Sequence, residues 1–369
     1  MKIICKKQNL IEAVLNVQHA VSSKSCLTAL EGILIKTEEG KISLCGYDLE
    51  LGITTTIDAE IQEDGGIVLG AKILSDIIRK MPDERISISV DEKLITTINS
   101  GTSEFSIIGI SPDDYPALPV IDSHSDIKLN SCTLRSMISQ TLFAVADTDE
   151  KPINTGTLFD ISNDEINLVS VDGYRLAKRS EKIAAVTTPI KFVVPGKTLN
   201  EILKLIPDSE DEINISIGKK HIVFKTKNYS IISRLLEGDF LDYNSAIPSD
   251  KTTELIVKTK DFIESVERAS LVINDRLKSP IRCFFSNNQA KISCITPLGK
   301  ANDEFSVSMT GNDLEIGFNN KYLLDALKNT DTDQIKVHVN GPLSPFKIMP
   351  MNDESFVFLV LPVRLKAGD

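Results

Sequence analysis

Gly196-Lys197-Thr198-Leu199-Asn200-Glu201-Ile202-Leu203-Lys204-Leu205-Ile206-Pro207 is the stretch that decides the fold. Its apolar residues fall at helical spacing and its last residue is a proline, so it reads as a short amphipathic helix with a built-in stop. The same helix occurs before and after it. Upstream, Leu74, Ile77, Ile78 and Met81 share one face and end at Pro82; downstream, Tyr322, Leu323, Leu324 and Leu327 mark the third copy, without a proline. Lys72, Lys197 and Lys321 stand at the start of the three copies, 125 and 124 residues apart.

The surroundings recur with the helix. Each copy is preceded by another helical pattern: Leu10, Val14, Val17 and Val21; Leu134, Met137, Ile138, Leu142 and Val145; Phe262, Ile263, Val266 and Ile273. Strand patterns lie between and after the helices. In the first unit they are Gly32–Thr37, Ile42–Cys45, a strand-like Tyr47–Leu51, Ile86–Val90, Leu94–Ile98 and Glu104–Ile110. The second unit has Ile213–Ile217, His221–Thr226 and Ser230–Leu236, and the third Ile335–Val339 and Phe356–Val360. Asp114-Tyr115-Pro116 closes the first unit, and Asp242-Tyr243 with Pro248 the second. An ordered series of this kind is the signature of a structural repeat. The chain is expected to be α+β, built of three tandem similar domains over 1–121, 122–249 and 250–369, with linkers near Val120–Leu129 and Ser249–Leu255. Neither linker is rich enough in Pro or Gly to be a long flexible tether.

Composition narrows the function classes. The 369 residues are 41% hydrophobic and 25% charged, as in an ordinary globular protein. There is no run of 18 apolar residues, and Met1–Lys7 returns to charge too early for a signal peptide, so a cytoplasmic protein without membrane contact is expected. Cys5, Cys26, Cys45, Cys132, Cys283 and Cys294 form no close pairs, which points to free thiols and no metal. His19, His124, His221 and His338 are scattered without ligand spacing. Gly196-Lys197-Thr198 resembles the end of a phosphate loop, but Lys191 occupies the position where that motif needs glycine. Asp113-Asp114 and Asp147 with Asp149 read as solvated turns. No catalytic set, and no cofactor, emerges from spacing.

The net charge of −11 argues against nucleic acid until its distribution is considered. In the three proline-stopped or equivalent helices, Lys72, Arg79, Lys80, Lys197, Lys204, Lys321 and Lys328 oppose only Asp76, Glu201 and Asp325. A solvated lysine face is the plain explanation; a basic surface on an acidic protein is the other. Val169-Ser170-Val171-Asp172-Gly173-Tyr174-Arg175-Leu176-Ala177-Lys178-Arg179 reads as a strand, a turn at Asp172-Gly173 and a second strand. A Tyr and an Arg directly after the turn suit a recognition surface, although a plain hairpin accounts for them too.

Three tandem domains, Val171–Leu176, the stretch Arg234–Tyr243 and Leu361-Pro362-Val363-Arg364-Leu365 together resemble the bacterial sliding clamps, the beta subunits of DNA polymerase III. The resemblance runs through the whole chain in order. It implies the DNA clamp fold, in which helices line a central hole and antiparallel sheets form the outer wall. It further implies a non-catalytic, ring-shaped homodimer that encircles duplex DNA without sequence preference and raises processivity. By resemblance, Lys24, Lys72, Arg79, Lys80, Lys197 and Lys204 are phosphate contacts. A partner-peptide groove falls on Lys151, Asn154, Val171, Gly173, Tyr174, Arg175, Leu176, Leu241, Ala246, Tyr322, Leu343, Pro345, Leu361, Pro362, Val363, Arg364 and Leu365. It would receive a Gln-Leu-x-Leu-Phe-like segment from the polymerase III alpha subunit, the clamp loader, other polymerases and repair proteins. Within it Gly173 permits a tight turn, Leu176 and Leu361 are walls, and Arg175 and Arg364 clamp peptide carbonyls or carboxylates. Phe105 and Ile107 on a candidate edge strand, and Leu271 and Val272 at a helix end, match dimer-interface positions.

The chain departs from the family pattern at several places. Asn154 stands where leucine is frequent, Leu241 where proline is usual, Ser245 where arginine often sits, and Lys24 and Lys151 where arginines are common. Lys366–Asp369 extends past the point where relatives often stop. From the residues alone, an enzyme with an unseen site and a three-domain scaffold that never meets DNA stay open.

Overall fold

Asp48 and Asp172 organise the two hairpins from which the sheets grow. In each the Oδ1 atom caps the turn: Asp48 accepts from the amides of Glu50 (3.0 Å) and Leu51 (2.7 Å), and Asp172 from those of Tyr174 (2.8 Å) and Arg175 (3.0 Å). Such side-chain-to-backbone bonds let a short loop replace a ladder. Tyr47–Leu51 is therefore not one strand. Tyr47 ends strand Lys41–Tyr47, Leu49 sits at φ 76°, and Leu51 opens a 13-residue strand, Leu51–Glu63. The Thr54-Thr55-Thr56 run hides that strand from hydropathy, although β-branched threonine suits a strand well.

The computed structural model describes residues 1–122, 125–148, 150–274 and 279–365. His124, Asp149, part of the first linker and the tail Lys366–Asp369 lie outside the described residues. Seven α-helices are described: α1 Lys7–Val17, α2 Ala71–Lys80, α3 Ser131–Leu142, α4 Gly196–Leu205, α5 Tyr243–Ala246, α6 Thr259–Ser270 and α7 Asn320–Lys328. Three helical patterns end earlier than their apolar spacing suggests, because Val21, Val145 and Ile273 continue the spacing in turns beyond the last helical residue. Met81 leaves α2 with ψ 139°, the extended conformation that the following Pro82 demands. Asn319 caps α7 by accepting from the Lys321 amide at 3.0 Å.

The chain forms two compact units, Met1–Cys132 with Asn200–Leu235, and Thr133–Leu199 with Leu236–Asp369. The division runs through the middle repeat. Its strands Ser125–Asn130, Glu212–Ile217, His221–Lys225 and Tyr229–Arg234 belong to unit 1, and Gly156–Ser162, Glu165–Val171, Arg175–Lys182 and Ile190–Pro195 to unit 2.

Unit 1 carries a 12-stranded antiparallel sheet. Ser103–Ile108 is at one end of its path, and Tyr229–Arg234 joins Leu51–Glu63 with Tyr229 opposite Thr55 and Ser233 opposite Leu51. Ile33, Ile35, Ile42 and Leu44 are buried on the sheet face that carries α1 and α2. Unit 2 carries a nine-stranded sheet, in which Phe356–Val360 joins Arg175–Lys182 with Arg175 opposite Val360, and a four-stranded sheet edged by Gly299–Ser306. Phe262 on α6 meets Phe285, Phe305 and Phe346 at centroid distances of 5.4–6.3 Å. Truncating such a core ring costs about 3–5 kcal/mol. No helix among the described residues is long and apolar enough to cross a membrane.

Candidate functional site

The hairpin at Asp172 supplies one wall of a surface site in unit 2. Gly173 turns the chain at φ 91°, a conformation other residues adopt only under strain. After the turn, Tyr174 is 61% exposed, while Leu176 drops into a buried cluster with Ile153, Val171, Tyr243, Met349 and Leu359. Ala246, Phe240 and Ile247 pack against this cluster from the segment that follows Tyr229–Arg234. The Tyr174 carbonyl accepts from the Leu361 amide at 2.9 Å, which carries the C-terminal stretch alongside the hairpin. The stretch then docks on strand Leu314–Phe318, where the Val363 amide donates to the Gly317 carbonyl at 2.8 Å. A Cβ at Gly317 would lie 2.5 Å from Leu365 Cδ2, so glycine there allows the close approach.

Arg175 is used differently from expectation. Only 9% exposed, its Nε donates to Asp172 Oδ2 at 2.9 Å and its Nη1 donates to Asp325 Oδ2 on α7. The guanidinium lies 4.6 Å from the centroid of Tyr322 and 5.5 Å from that of Phe143. Two carboxylates and two rings hold it, so it shapes the site rather than clamping a peptide carboxylate. Tyr322 in turn stacks on Tyr174 at 5.8 Å with an interplanar angle of 19°. Burial raises the Tyr322 pKa, with the nearby Asp172 carboxylate adding to it, so the ring is a neutral phenol at physiological pH.

The other expected groove residues fall in three places. Lys151 precedes the 3₁₀ turn Pro152–Thr155 and Asn154 lies within it, tied by its backbone to Lys151 O and Ala146 N, both at 2.9 Å. Its side-chain amide makes no hydrogen bond with a described residue. Leu241 and Ser245 are exposed, and Ser245 Oγ donates to Asp242 O at 2.8 Å. Leu343, Leu361, Val363 and Arg364 are exposed, and Pro345, Pro362 and Leu365 half-buried. The buried cluster at Leu176 and the exposed Leu241, Leu343 and Leu361 are the kinds of apolar residue that a site for a short apolar peptide needs. Sequence reading missed the two carboxylates. Asp172 looked like a turn residue, and Asp325 like a helix-surface charge.

The expected phosphate contacts are all exposed. Lys24, Lys72 and Lys80 have no carboxylate partner within 4.0 Å among the described residues. Arg79 donates to Ser75 Oγ at 2.8 Å and lies 3.8 Å from Asp76, and Lys204 is paired with Glu201 at 2.9 Å. Lys197 lies in the first turn of α4. The expected interface residues Phe105 and Ile107 share the core-side face of edge strand Ser103–Ile108. Ile108, which sequence reading passed over, is 83% exposed on the other face, and Leu271 at the end of α6 is 84% exposed. Val272 sits beside the start of the other edge strand, its carbonyl accepting from Thr296 Oγ1 at 2.8 Å.

Among the described residues no group of three or more His, Cys, Asp or Glu side chains could hold a metal. Family models for the DNA polymerase III beta subunit match in order: the N-terminal domain at residues 1–119, the central domain at 128–242 and the C-terminal domain at 244–364. The beta sliding clamp of Bacillus subtilis is 35% identical over 99% of this chain and 100% of its own length. The crystal structure of the Bacillus subtilis sliding clamp superposes with a TM-score of 0.97 at 35% identity, covering 99% of this chain and 100% of that one. A clamp from Pseudomonas aeruginosa bound to griselimycin gives 0.94 at 27% identity over 99% of this chain and 100% of that one. By these matches over its whole length, the chain belongs to the beta sliding clamp family, the beta subunits of DNA polymerase III.

Proposed function

We propose that two copies of the chain close head to tail into a ring that encircles duplex DNA and holds the replicative polymerase on it. One observation supports this most: the pairing rule inside the chain leaves two complementary edges. The strand after each Asp-capped turn is paired by the last strand of the following repeat, Leu51–Glu63 by Tyr229–Arg234 and Arg175–Lys182 by Phe356–Val360. The third repeat has the receiving strand, Gly299–Ser306, 124 residues after Arg175–Lys182, and it lies at a sheet edge. The first repeat has the donating strand, Ser103–Ile108, also at an edge. A second copy satisfies both edges by the same rule, giving a closed ring of six repeats with divisions at 1–121, 122–249 and 250–369. Phe105, Ile107, Leu271 and Val272 then lie in the interface.

The clamp is a non-catalytic subunit of the polymerase, working in the cytoplasm. Topology holds it in place, so its contacts to DNA are few, electrostatic and indifferent to sequence; Lys24, Lys72, Arg79, Lys80, Lys197 and Lys204 supply them. The apolar surface around Leu176, Tyr174, Tyr322, Leu343 and Leu361 binds linear segments of the polymerase, the clamp loader and repair proteins, which raises their effective concentration at the template. The experiment is loading by a clamp loader on nicked circular and on linear duplex. Protein retained on the circle and lost from the line supports the ring, and charge reversal at Lys72, Arg79 and Lys197 reduces loading. Tight binding to linear duplex in physiological salt contradicts it.

A further inference from the structure

Two sheet faces related by the internal repeat differ in what covers them. In unit 1 a cleft of about 600 Å³ lies on the sheet face away from α1 and α2. Cross-strand rows form its floor: Leu34, Cys45, Thr54 and Ser230, then Lys36, Ser43 and Thr56. Tyr115–Leu118 makes one wall and the turn Lys225–Tyr229 the other. In unit 2, 124 residues further on, the same rows read Leu158, Val169, Lys178 and Asp160, Asn167, Ser180.

The unit 2 rows satisfy themselves. Tyr243 donates its hydroxyl to Asp160 at 2.7 Å, and Lys191 reaches the same carboxylate at 2.9 Å. Ser180 Oγ donates to Asn167 Oδ1 at 2.6 Å, and the Lys178 ammonium lies 5.8 Å from the centroid of the Tyr243 ring. In unit 1 the partners are gone. Lys36 replaces Asp160 and Thr54 replaces Lys178, and Tyr115 donates instead to the Cys45 carbonyl at 3.3 Å. Among the described residues, Lys36, Lys225 and Lys227 have no carboxylate within 4.0 Å, and Ser43 and Thr56 have no side-chain hydrogen bond. Three unpaired cations face a single lining carboxylate, Glu38, in a chain of net charge −11.

We propose that this cleft is a second docking site, taking an acidic peptide segment of a protein partner. The lysines meet its carboxylates, and the Ser43 and Thr56 hydroxyls donate from the floor. Leu34, Pro116 and Leu118 cover the aliphatic stems of glutamate side chains. Duplex DNA fits less well, because the cleft faces away from α2, the helix that carries Lys72 and Arg79.

The probe is a fluorescein-labelled Glu-Glu-Leu-Glu-Glu peptide, titrated by anisotropy against the full-length protein at fixed ionic strength. Two variants test the cleft: Lys36→Gln with Lys227→Gln, and Lys36→Asp with Thr54→Lys, which installs the filled pattern of the sister repeat. Each is expected to weaken binding about tenfold or more, a loss that requires only a modest change in contact energy. Leu176→Ala with Leu361→Ala, in the apolar groove, leaves binding unchanged. Neither inorganic phosphate nor short duplex DNA at matched ionic strength displaces the peptide. Absence of binding to the wild type, equal binding by both cleft variants, loss in the groove variant, or displacement by phosphate or duplex would overturn the proposal.

Discussion

The guanidinium of Arg175, on the strand after the Asp172 turn, donates to Asp325 in the middle of α7. One side chain thereby links the hairpin to the helix that carries Tyr322, and it does so through a charge-assisted bond with aromatic rings on either contact. Asp325→Ala should weaken peptide binding about tenfold by letting the Tyr174–Tyr322 pair drift. Asp325 is 42% exposed in its side chain, so the stability loss should be near the low end of about 1.5–3 kcal/mol for a bond to a charged group. Arg175→Lys cannot reproduce the fork and should lose binding as well. Calorimetric titration with a Gln-Leu-x-Leu-Phe peptide and thermal unfolding separate the two effects; unchanged affinity in Asp325→Ala would show that the link does not shape the groove.

Legibility in the sequence followed the physics of each element. The proline-stopped helices were plain because a period of 3.6 and a breaker are local signals. Leu51–Glu63 was not, since its threonines and carboxylates give no local signal until a neighbouring strand pairs with them. Leu176 and Leu361 could be named as walls from the resemblance. The fate of Arg175 could not, because Asp325 lies 150 residues away and only the fold brings it close. Ile108 was missed for a similar reason: a terminal strand residue is apolar either for a core or for a partner, and the sequence pattern is the same.

The two free sheet edges give a sharp prediction about association. Leu271→Ala with Val272→Ala, and separately Ile108→Asp, should shift the dimer toward monomer at micromolar concentration. Sedimentation velocity reads this directly. Ile108 is 83% exposed in the single chain, so its substitution should leave the monomer's unfolding temperature within a degree or two, by about the small effect typical of surface changes. A dimer that survives all three substitutions would place the interface elsewhere.

Acid should destabilise the fold through two histidines. His338 is held below its ordinary 6.5 mainly by burial, with Lys251 and Lys347 adding to the shift and the bond to Glu254 opposing it. Burial likewise lowers His221, with Arg234 and Lys220 adding. With depressed folded pKa values, the unfolded chain takes up protons first as pH falls through 6.5, so stability drops from there until the folded values are passed. Glu254, held down chiefly by its bond to Lys251, loses its contribution only below the ordinary 4.5 of a glutamate and does not confuse this window. Unfolding temperatures measured from pH 7 to 5 should fall, and the fall should be shallower in His221→Gln with His338→Gln. Equal slopes in wild type and variant would remove both histidines from the explanation.

Asn154 decides how tightly the groove holds a common peptide. Its backbone is fixed at both ends of a tight turn, while its amide has no partner among the described residues and remains in contact with water. Leucine or phenylalanine anchors on Leu176, Val171 and Leu361 contribute ~2 kcal/mol each, as interface hot spots do. Covering the amide with such an anchor removes its water and leaves it unpaired, at a cost of roughly 1–3 kcal/mol. Asn154→Leu should therefore bind a Gln-Leu-x-Leu-Phe peptide about tenfold more tightly than wild type, and Leu176→Ala should bind it more weakly. Calorimetry on the three proteins gives the answer. A tenfold loss in Asn154→Leu would instead mean that the amide hydrogen-bonds the peptide, so that partners of this clamp carry a polar group where other peptides carry an apolar one.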